Sequence, residues 1–296
     1  MSGQQGKLAI VTGTGGLGLE IAKGLAAAGA DVIVAGRNID KGNAAVAAIR
    51  QGSPSASVSF EALDLGDLAS VRAFAQRMVA AGRPVDILVN SAGLIAMKRQ
   101  TTASGFEAMF GVNFLGHFAL TGLLLPLLRR SPAPRVVNVV GAAYKSASID
   151  FEDINSEKRF AGMKAGGQSM LAKAQFTREL QRRSDANGWG LSVAAADPGL
   201  ARTELMNNAG MPGLMRLLVG AMGSLMGQSA AEGAETALVA ATAARIAPGG
   251  YYAPGNKSGL KGTPALKDMA PSANDAKTAA RLWDVAQDLT GSPFPA

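Results

Sequence analysis

Leu8-Ala9-Ile10-Val11-Thr12-Gly13-Thr14-Gly15-Gly16-Leu17-Gly18 decides the fold. The first five residues read as a strand, the glycines as a tight turn, and the stretch to about Ala28 as a helix. Gly13, Gly15 and Gly18 stand at G-x-G-x-x-G spacing, with Gly16 and Leu17 inside the same turn. A strand, a glycine turn and a helix in that order bring free N–H groups to a positive helix end. The backbone there can approach a pyrophosphate closely.

The same alternation runs outward from this segment. Further strands are expected at Asp31–Ala35, Ser57–Ala62, Ile87–Asn90, Arg135–Val140 and Leu191–Ala196, with a short one at Gly250–Tyr252. Helices are expected at Ile39–Arg50, Leu68–Ala80, Phe106–Asn113, His117–Arg130, Gln168–Arg183, Glu232–Ala244 and Ala276–Leu289. Short β-branched runs alternating with helices predict an α/β chain. The expected architecture is one doubly wound parallel sheet of about seven strands with helices on both faces. No linker or repeat divides residues 1–296, so one domain is expected.

Composition removes several function classes. With 48% hydrophobic and 17% charged residues, the chain has ample apolar surface to bury and is not a solvating or disordered protein. It has no cysteine, which excludes disulfides, thiolate metal centres and cysteine nucleophiles. Its single histidine, His117, excludes His-rich zinc sites, so no metal is expected. A cytoplasmic location is the expectation. The net charge of +7 sits in scattered basic pairs without aromatic platforms, so no nucleic-acid partner is expected. No uninterrupted apolar run reaches 18 residues, so no membrane span is expected.

The second strand points to a cofactor type. An acidic residue at its end would hold the ribose hydroxyls of NAD, but the sequence there is Ala35-Gly36-Arg37. Arg37 pairs instead with a 2′-phosphate, which favours NADP(H). Asp64 and Leu65 follow the third strand, where a carboxylate can hold the adenine amino group. Asn90, Ala92 and Gly93, after the fourth strand, would flank the adenosine.

These segments resemble the short-chain dehydrogenase/reductase family, nearest its retinol-dehydrogenase-like and protochlorophyllide-reductase-like branch. The resemblance is carried by Val11–Gly18, Leu63-Asp64-Leu65, Leu88–Gly93, Val112–Pro126, Ile149–Asn155, Phe176–Leu180, Pro198-Gly199 with Thr203, and Leu282–Gly291. It implies a Rossmann-type domain with substrate over the C-terminal ends of the strands. It also implies Pro198, Gly199 and Thr203 beside the cofactor, and a homodimer or homotetramer. The glycine turn departs from the family: Thr14 and Gly15 alone separate Gly13 from Gly16, one residue fewer than usual.

The larger departure is catalytic. The resemblance implies a tyrosine that gives a proton to a carbonyl, a lysine four residues later, a serine after the fifth strand and an asparagine on an earlier helix. Aligned on Ala165-Gly166-Gly167-Gln168-Ser169-Met170-Leu171-Ala172, the tyrosine position is Gly166 and the lysine position is Met170. Gly141 stands at the serine position, and Asn113 is retained. Neither Tyr144, Tyr251 nor Tyr252 has a lysine four residues on. Gly141, Gly166 and Met170 would leave a widened apolar pocket beside the nicotinamide.

Three side chains are candidate substitutes. Tyr144, past Gly141, is placed to reach the pocket or to pack. Lys173, on the helix face one turn beyond Met170, is a displaced positive charge or a surface lysine. Asp197 is the best-placed carboxylate for general-base work. Thr203–Gln228, with Met206 in the pocket and Met211, Met215, Met222 and Met226 beyond it, reads equally as a substrate lid or as core or oligomer contact.

The leading functional expectation is redox-neutral chemistry on a hydrophobic small molecule, such as a polycyclic secondary metabolite: isomerisation, cyclisation, elimination or addition. NADP(H) would then be structural or weakly bound. The alternatives are an NADPH-dependent carbonyl reductase with a substitute proton donor, and a non-catalytic partner subunit.

Overall fold

In a computed structural model, which describes residues 3–201, 227–292 and 294–295, every residue of Leu8–Thr12 (β1) is buried. The strand has no polar face because helices cover both sides of the sheet at its centre. Gly16–Ala27 (α1), Asp31–Gly36 (β2), Ile39–Gly52 (α2), Val58–Ala62 (β3), Leu68–Ala81 (α3) and Ile87–Asn90 (β4) follow. A π-helical turn, Phe110–Leu115, runs into Gly116–Leu128 (α4). Next come Arg135–Val139 (β5), the 3-10 turn Ala142–Ser146, Gly162–Asn187 (α5) and Ser192–Ala196 (β6). The chain closes with Ala230–Thr242 (α6), Gly250–Pro254 (β7), Pro264–Lys267 (β8) and Ala276–Thr290 (α7).

The strands form one sheet in the order β3-β2-β1-β4-β5-β6-β7-β8. All neighbours are parallel except β7 and β8. The sequence predicts about seven strands, and β8 is the eighth. It is a four-residue edge strand opening on Pro264, a position where a missing N–H costs no ladder bond. Ile21, Leu25, Ala234 and Leu238 pack α1 and α6 on one face. On the other face, Phe114, Phe118, Phe176, Trp283 and Phe294 join α4 and α5 to α7. The Trp283 and Phe294 ring centroids are 4.5 Å apart.

Two helices differ from expectation for one reason. Phe106–Asn113 and His117–Arg130 are expected as separate helices, yet the helical run is continuous from Phe110 to Leu128. Gly116, between the two expected helices, sits against the Leu65 carbonyl, with which a Cβ would collide. Likewise α5 starts at Gly162, ahead of the expected Gln168, and passes through Gly166-Gly167. A Cβ on Gly167 would lie 3.3 Å from the Ala143 carbonyl and 3.2 Å from the Ala147 Cβ. Both glycines serve close approach, not termination.

The Phe110–Leu128 run also qualifies the membrane reading. By length and composition it is apolar enough to cross a bilayer, though most of it is buried inside the fold.

The strand order reverses direction between β1 and β4, so the loops after them leave to opposite sides. The crevice this opens at the strands' C-terminal ends is where an open α/β sheet binds ligands.

Candidate functional site: a dinucleotide crevice beside a thioether-lined space

Thr12 at the end of β1 ties the crevice together. Its hydroxyl accepts the N–H groups of Ser91, at 2.9 Å, and Ala92, at 3.0 Å. It lies 3.0 Å from Nε2 of buried His117. His117 Nδ1 is 3.1 Å from the Asn113 carbonyl, which can only accept. Nδ1 therefore carries the hydrogen and Nε2 accepts from Thr12. Burial, and then the charge of Lys173, hold the imidazole well below its usual pKa. His117 is a neutral strut.

Glycines shape the wall facing it. Gly13 has φ +103° and Gly16 has φ +51°, which other residues rarely adopt. A Cβ on Gly18 would lie 2.5 Å from the Gly13 carbonyl, whereas one on Gly15 would meet nothing within 4 Å. A Cβ on Gly13 would be 3.5 Å from Ala92, so the β1 and β4 loops touch here. Helix α1 opens without a side-chain cap, while Asn38, Asp67, Ser229 and Asp275 cap α2, α3, α6 and α7. Its first N–H groups remain available to an anion.

The other expected cofactor residues line the same edge. Arg37 is exposed beyond β2 and makes no hydrogen bond or ion pair with the described residues. Asp64 accepts the Gly66 N–H at 2.9 Å through one oxygen, and Leu65 beside it is buried. Gly93 is exposed on the β4 loop. The turn after β6 is pinned from three sides. Gly199, with φ +62°, would strike the Leu260 carbonyl if it had a Cβ. The Leu200 N–H bonds Leu260 at 2.9 Å, and Gln228 Nε2 bonds the Pro198 carbonyl at 2.7 Å. Thr203 and Met206 lie outside the described residues, as does the expected lid 203–228 apart from Gly227 and Gln228.

Beside this crevice, Met170 of α5 places its sulfur 3.3 Å from the Gly141 amide nitrogen. A Cβ on Gly141 would stand 3.9 Å from that sulfur, and one on Gly166 would stand 3.5 Å from the Met109 sulfur. The groups gathered here are glycine backbone and thioether. Met109 is missed by the sequence reading, although it sits one helical turn before Asn113.

Asn113 is spent on scaffolding. Its Oδ1 accepts the Leu94 N–H at 2.8 Å, and its Nδ2 donates to the Leu94 carbonyl and to Ser169 Oγ, both at 3.1 Å. Ser169 in turn donates to the Gly166 carbonyl at 2.8 Å.

The expectation that Tyr144 reaches the pocket is corrected. Its ring is fully buried, with the hydroxyl accepting the Ala270 N–H at 3.4 Å. It packs edge-on against Tyr251, centroids 5.8 Å apart. Tyr251 donates to Asp197 Oδ2 at 2.5 Å, while Asp197 Oδ1 accepts the Gly199 N–H at 2.8 Å. Burial raises the Asp197 pKa, and the Tyr251 and Gly199 hydrogen bonds oppose that rise. Burial and then the Asp197 charge push the Tyr251 phenol far above its usual value. Tyr252, on the other face, accepts the Ala247 N–H at 3.0 Å. All three tyrosine hydroxyls are engaged inside the protein. Tyr144 and Asp197 thus come together through Tyr251, which the sequence reading does not place in a site.

The surface reading of Lys173 is corrected as well. The residue is 1% exposed, and its Nζ donates to the Asn90 carbonyl at 2.8 Å. Burial lowers its pKa to about 7. Asn90 Nδ2 donates to Asn138 Oδ1 at 2.8 Å and to Thr121 Oγ1 at 3.1 Å, fixing the ends of β4 and β5.

Comparison with known proteins accords with this architecture. A family model described as short chain dehydrogenase matches residues 7–212. Human retinol dehydrogenase 12 is 38% identical over 289 residues, covering 97% of this chain and 87% of the relative. Mouse polyprenol dehydrogenase is 40% identical over 300 residues, covering 98% and 85%. The crystal structure of an uncharacterised protein from Mycobacterium paratuberculosis superposes with a TM-score of 0.83 at 35% identity, covering 100% of this chain and 97% of that one. The chain belongs to the short-chain dehydrogenase/reductase family, in its retinol-dehydrogenase-like branch.

Proposed function

We propose that the chain is an enzyme that binds NADP(H) in the β1/β4 crevice and acts on a hydrophobic small molecule beside Gly141, Gly166 and Met170. The proposed reaction transfers no net hydride and draws no proton from a protein phenol: an isomerisation, cyclisation, elimination or addition. The observation that carries this reading is the engagement of all three tyrosine hydroxyls inside the core. By resemblance to the family pattern, Gly141, Gly166 and Met170 would occupy the places of a serine, a tyrosine and a lysine. Loss of a positioned general acid costs about 10²–10⁴ in rate. An enzyme that depended on that acid would not retain useful speed.

The residues present fit a dinucleotide. The uncapped start of α1 and the open space at Gly15 suit a pyrophosphate, and Arg37 is free for a 2′-phosphate. Bound there, the cofactor supplies hydride chemistry or, in this reading, a wall of the pocket. The chain's own part is to orient an apolar ligand and exclude water, which by itself accelerates unimolecular reactions. The relatives are named for retinol and polyprenol, so isoprenoid alcohols and aldehydes are the first ligands to try.

A second reading, hydride transfer with a proton from solvent, is favoured by those relatives' being named dehydrogenases. Product mass separates the two. Retinol, retinal and polyprenol are incubated with the protein and NADP(H), and products are weighed by mass spectrometry. An isomeric or dehydrated product supports the redox-neutral reading, and a change of two hydrogens overturns it.

A further inference from the structure

Among the described residues, Lys173 carries a buried ammonium that the proposed chemistry does not use. Its Nζ donates to the Asn90 carbonyl at 2.8 Å and has no second acceptor among the described residues. Two more polar atoms beside that carbonyl are unspent. Asn90 Oδ1 and Ser91 Oγ are both buried without a hydrogen-bond partner among the described residues. Asn90 itself is fully buried. Unsatisfied buried groups of this kind cost free energy unless a ligand or water completes them. All three gather at the C-terminal end of β4, directly before Ala92, which lies against the glycine turn.

Among the described residues, the groups hydrogen-bonded around the ammonium are uncharged. From α4 the ionisable neighbour is His117, held neutral. Asn90 of β4, Asn138 of β5 and Thr177 of α5 link to Lys173 through hydrogen bonds of 2.8–3.0 Å, and Thr12 of β1 pairs with His117 at 3.0 Å. No carboxylate belongs to this network. A lone buried lysine without a counter-ion is poised to lose its proton, and a polyanion bound above it would return that proton.

We propose that Lys173 is the charged floor of the dinucleotide crevice, a positioning residue that takes up a proton when the anionic cofactor binds. The ammonium acts through the Asn90 carbonyl, which it holds at the base of the β4 loop. This inference rests on the dinucleotide reading of the crevice and is independent of whether the reaction is redox-neutral. The proton moves from solvent to Nζ; no covalent bond to the ligand forms. The sign follows from the charge. The free protein holds Lys173 partly neutral above pH 7, and the bound protein holds it protonated, so affinity rises as pH falls through the free pKa. Each unit by which binding raises that pKa corresponds to about a tenfold gain in affinity between high and low pH.

The test uses the full-length protein labelled with ¹³C at lysine Cε. In the free protein one lysine signal should titrate near pH 7, and that signal should be missing from Lys173→Met. Saturating NADPH should move that midpoint up by a unit or more. Calorimetry at pH 8 in two buffers of different ionisation enthalpy should register fractional proton uptake for the natural protein and none for Lys173→Met. If Lys173→Met does not fold, the titration of the natural protein decides alone. NADPH binding with an unmoved lysine midpoint, or proton uptake retained in folded Lys173→Met, overturns the inference while leaving the crevice reading intact. Failure of NADPH to bind at all overturns both, and is read directly from the same calorimeter.

Discussion

The sulfur of Met170 lies 3.3 Å from the amide nitrogen of Gly141, so a thioether from α5 closes over the end of β5. A thioether is a weak acceptor and a soft, apolar filler. It gives the backbone N–H a partner of sorts without bringing charge.

The space at Gly166 is open enough to test by addition. An alanine Cβ there would make ordinary contact, 3.5 Å from the Met109 sulfur. Gly166→Ala should therefore raise stability by about 0.5–1 kcal/mol through helix propensity. Gly167→Ala should not, because its Cβ would crowd Ala147 and the Ala143 carbonyl. Denaturant unfolding of the two variants side by side checks the contrast.

Two glycines of the turn should separate fold from binding. Gly18→Ala places a Cβ 2.5 Å from the Gly13 carbonyl and should cost about 1–3 kcal/mol by overpacking. Gly15→Ala meets nothing and has an extended φ of −149°. It should melt like the natural protein yet weaken NADPH binding, as read by fluorescence titration.

Arg37→Ala should leave stability within about 0.5 kcal/mol, since the side chain is exposed and unpaired with described residues. It should weaken NADPH by about 1.5–3 kcal/mol, the worth of a hydrogen bond to a charged group. NADH affinity should not change. Equal losses for both cofactors would place the 2′-phosphate elsewhere.

The buried Asp197–Tyr251 pair predicts a pH dependence. Burial raises the Asp197 pKa above its ordinary 3.8, so the folded state binds the proton more tightly than the unfolded chain. Its contribution to stability is greatest below that ordinary value and is lost as pH rises through the folded pKa. Asp197→Asn removes the titration. Its stability relative to the natural protein should rise between pH 4 and pH 7, measured by urea unfolding at each pH. A difference that stays flat would mean that Asp197 does not titrate there.

The sheet was legible where strands are fully buried. β1 and β4 fall on the expected residues because an unbroken apolar run, ended by glycine or asparagine, has few other solutions. β8 was not, because Pro-Ala-Leu-Lys on a sheet edge carries no alternation. The helix boundaries at Gly116 and Gly167 differ from expectation for a shared reason: a glycine that admits a neighbouring backbone looks, in sequence, like one that ends a helix. The site divides in the same way. Gly13, Gly15 and Gly18 could be placed because their spacing is local. Tyr144 and Lys173 could not be oriented, because their partners, Tyr251 and Asn90, are set by strand register and not by spacing. The Tyr251–Asp197 bond spans 54 residues of sequence.

No protein phenol is expected to serve hydride transfer at this site. Deuterium-labelled NADPH, carrying the label at nicotinamide C4, is incubated with a hydrophobic aldehyde and either the natural protein or the Gly141→Ser, Gly166→Tyr, Met170→Lys triple variant. No labelled alcohol is expected from the natural protein, and labelled alcohol is expected from the variant. Labelled alcohol formed by the natural protein as fast as by the variant would show that a proton donor other than a phenol at position 166 sustains hydride transfer, against this expectation.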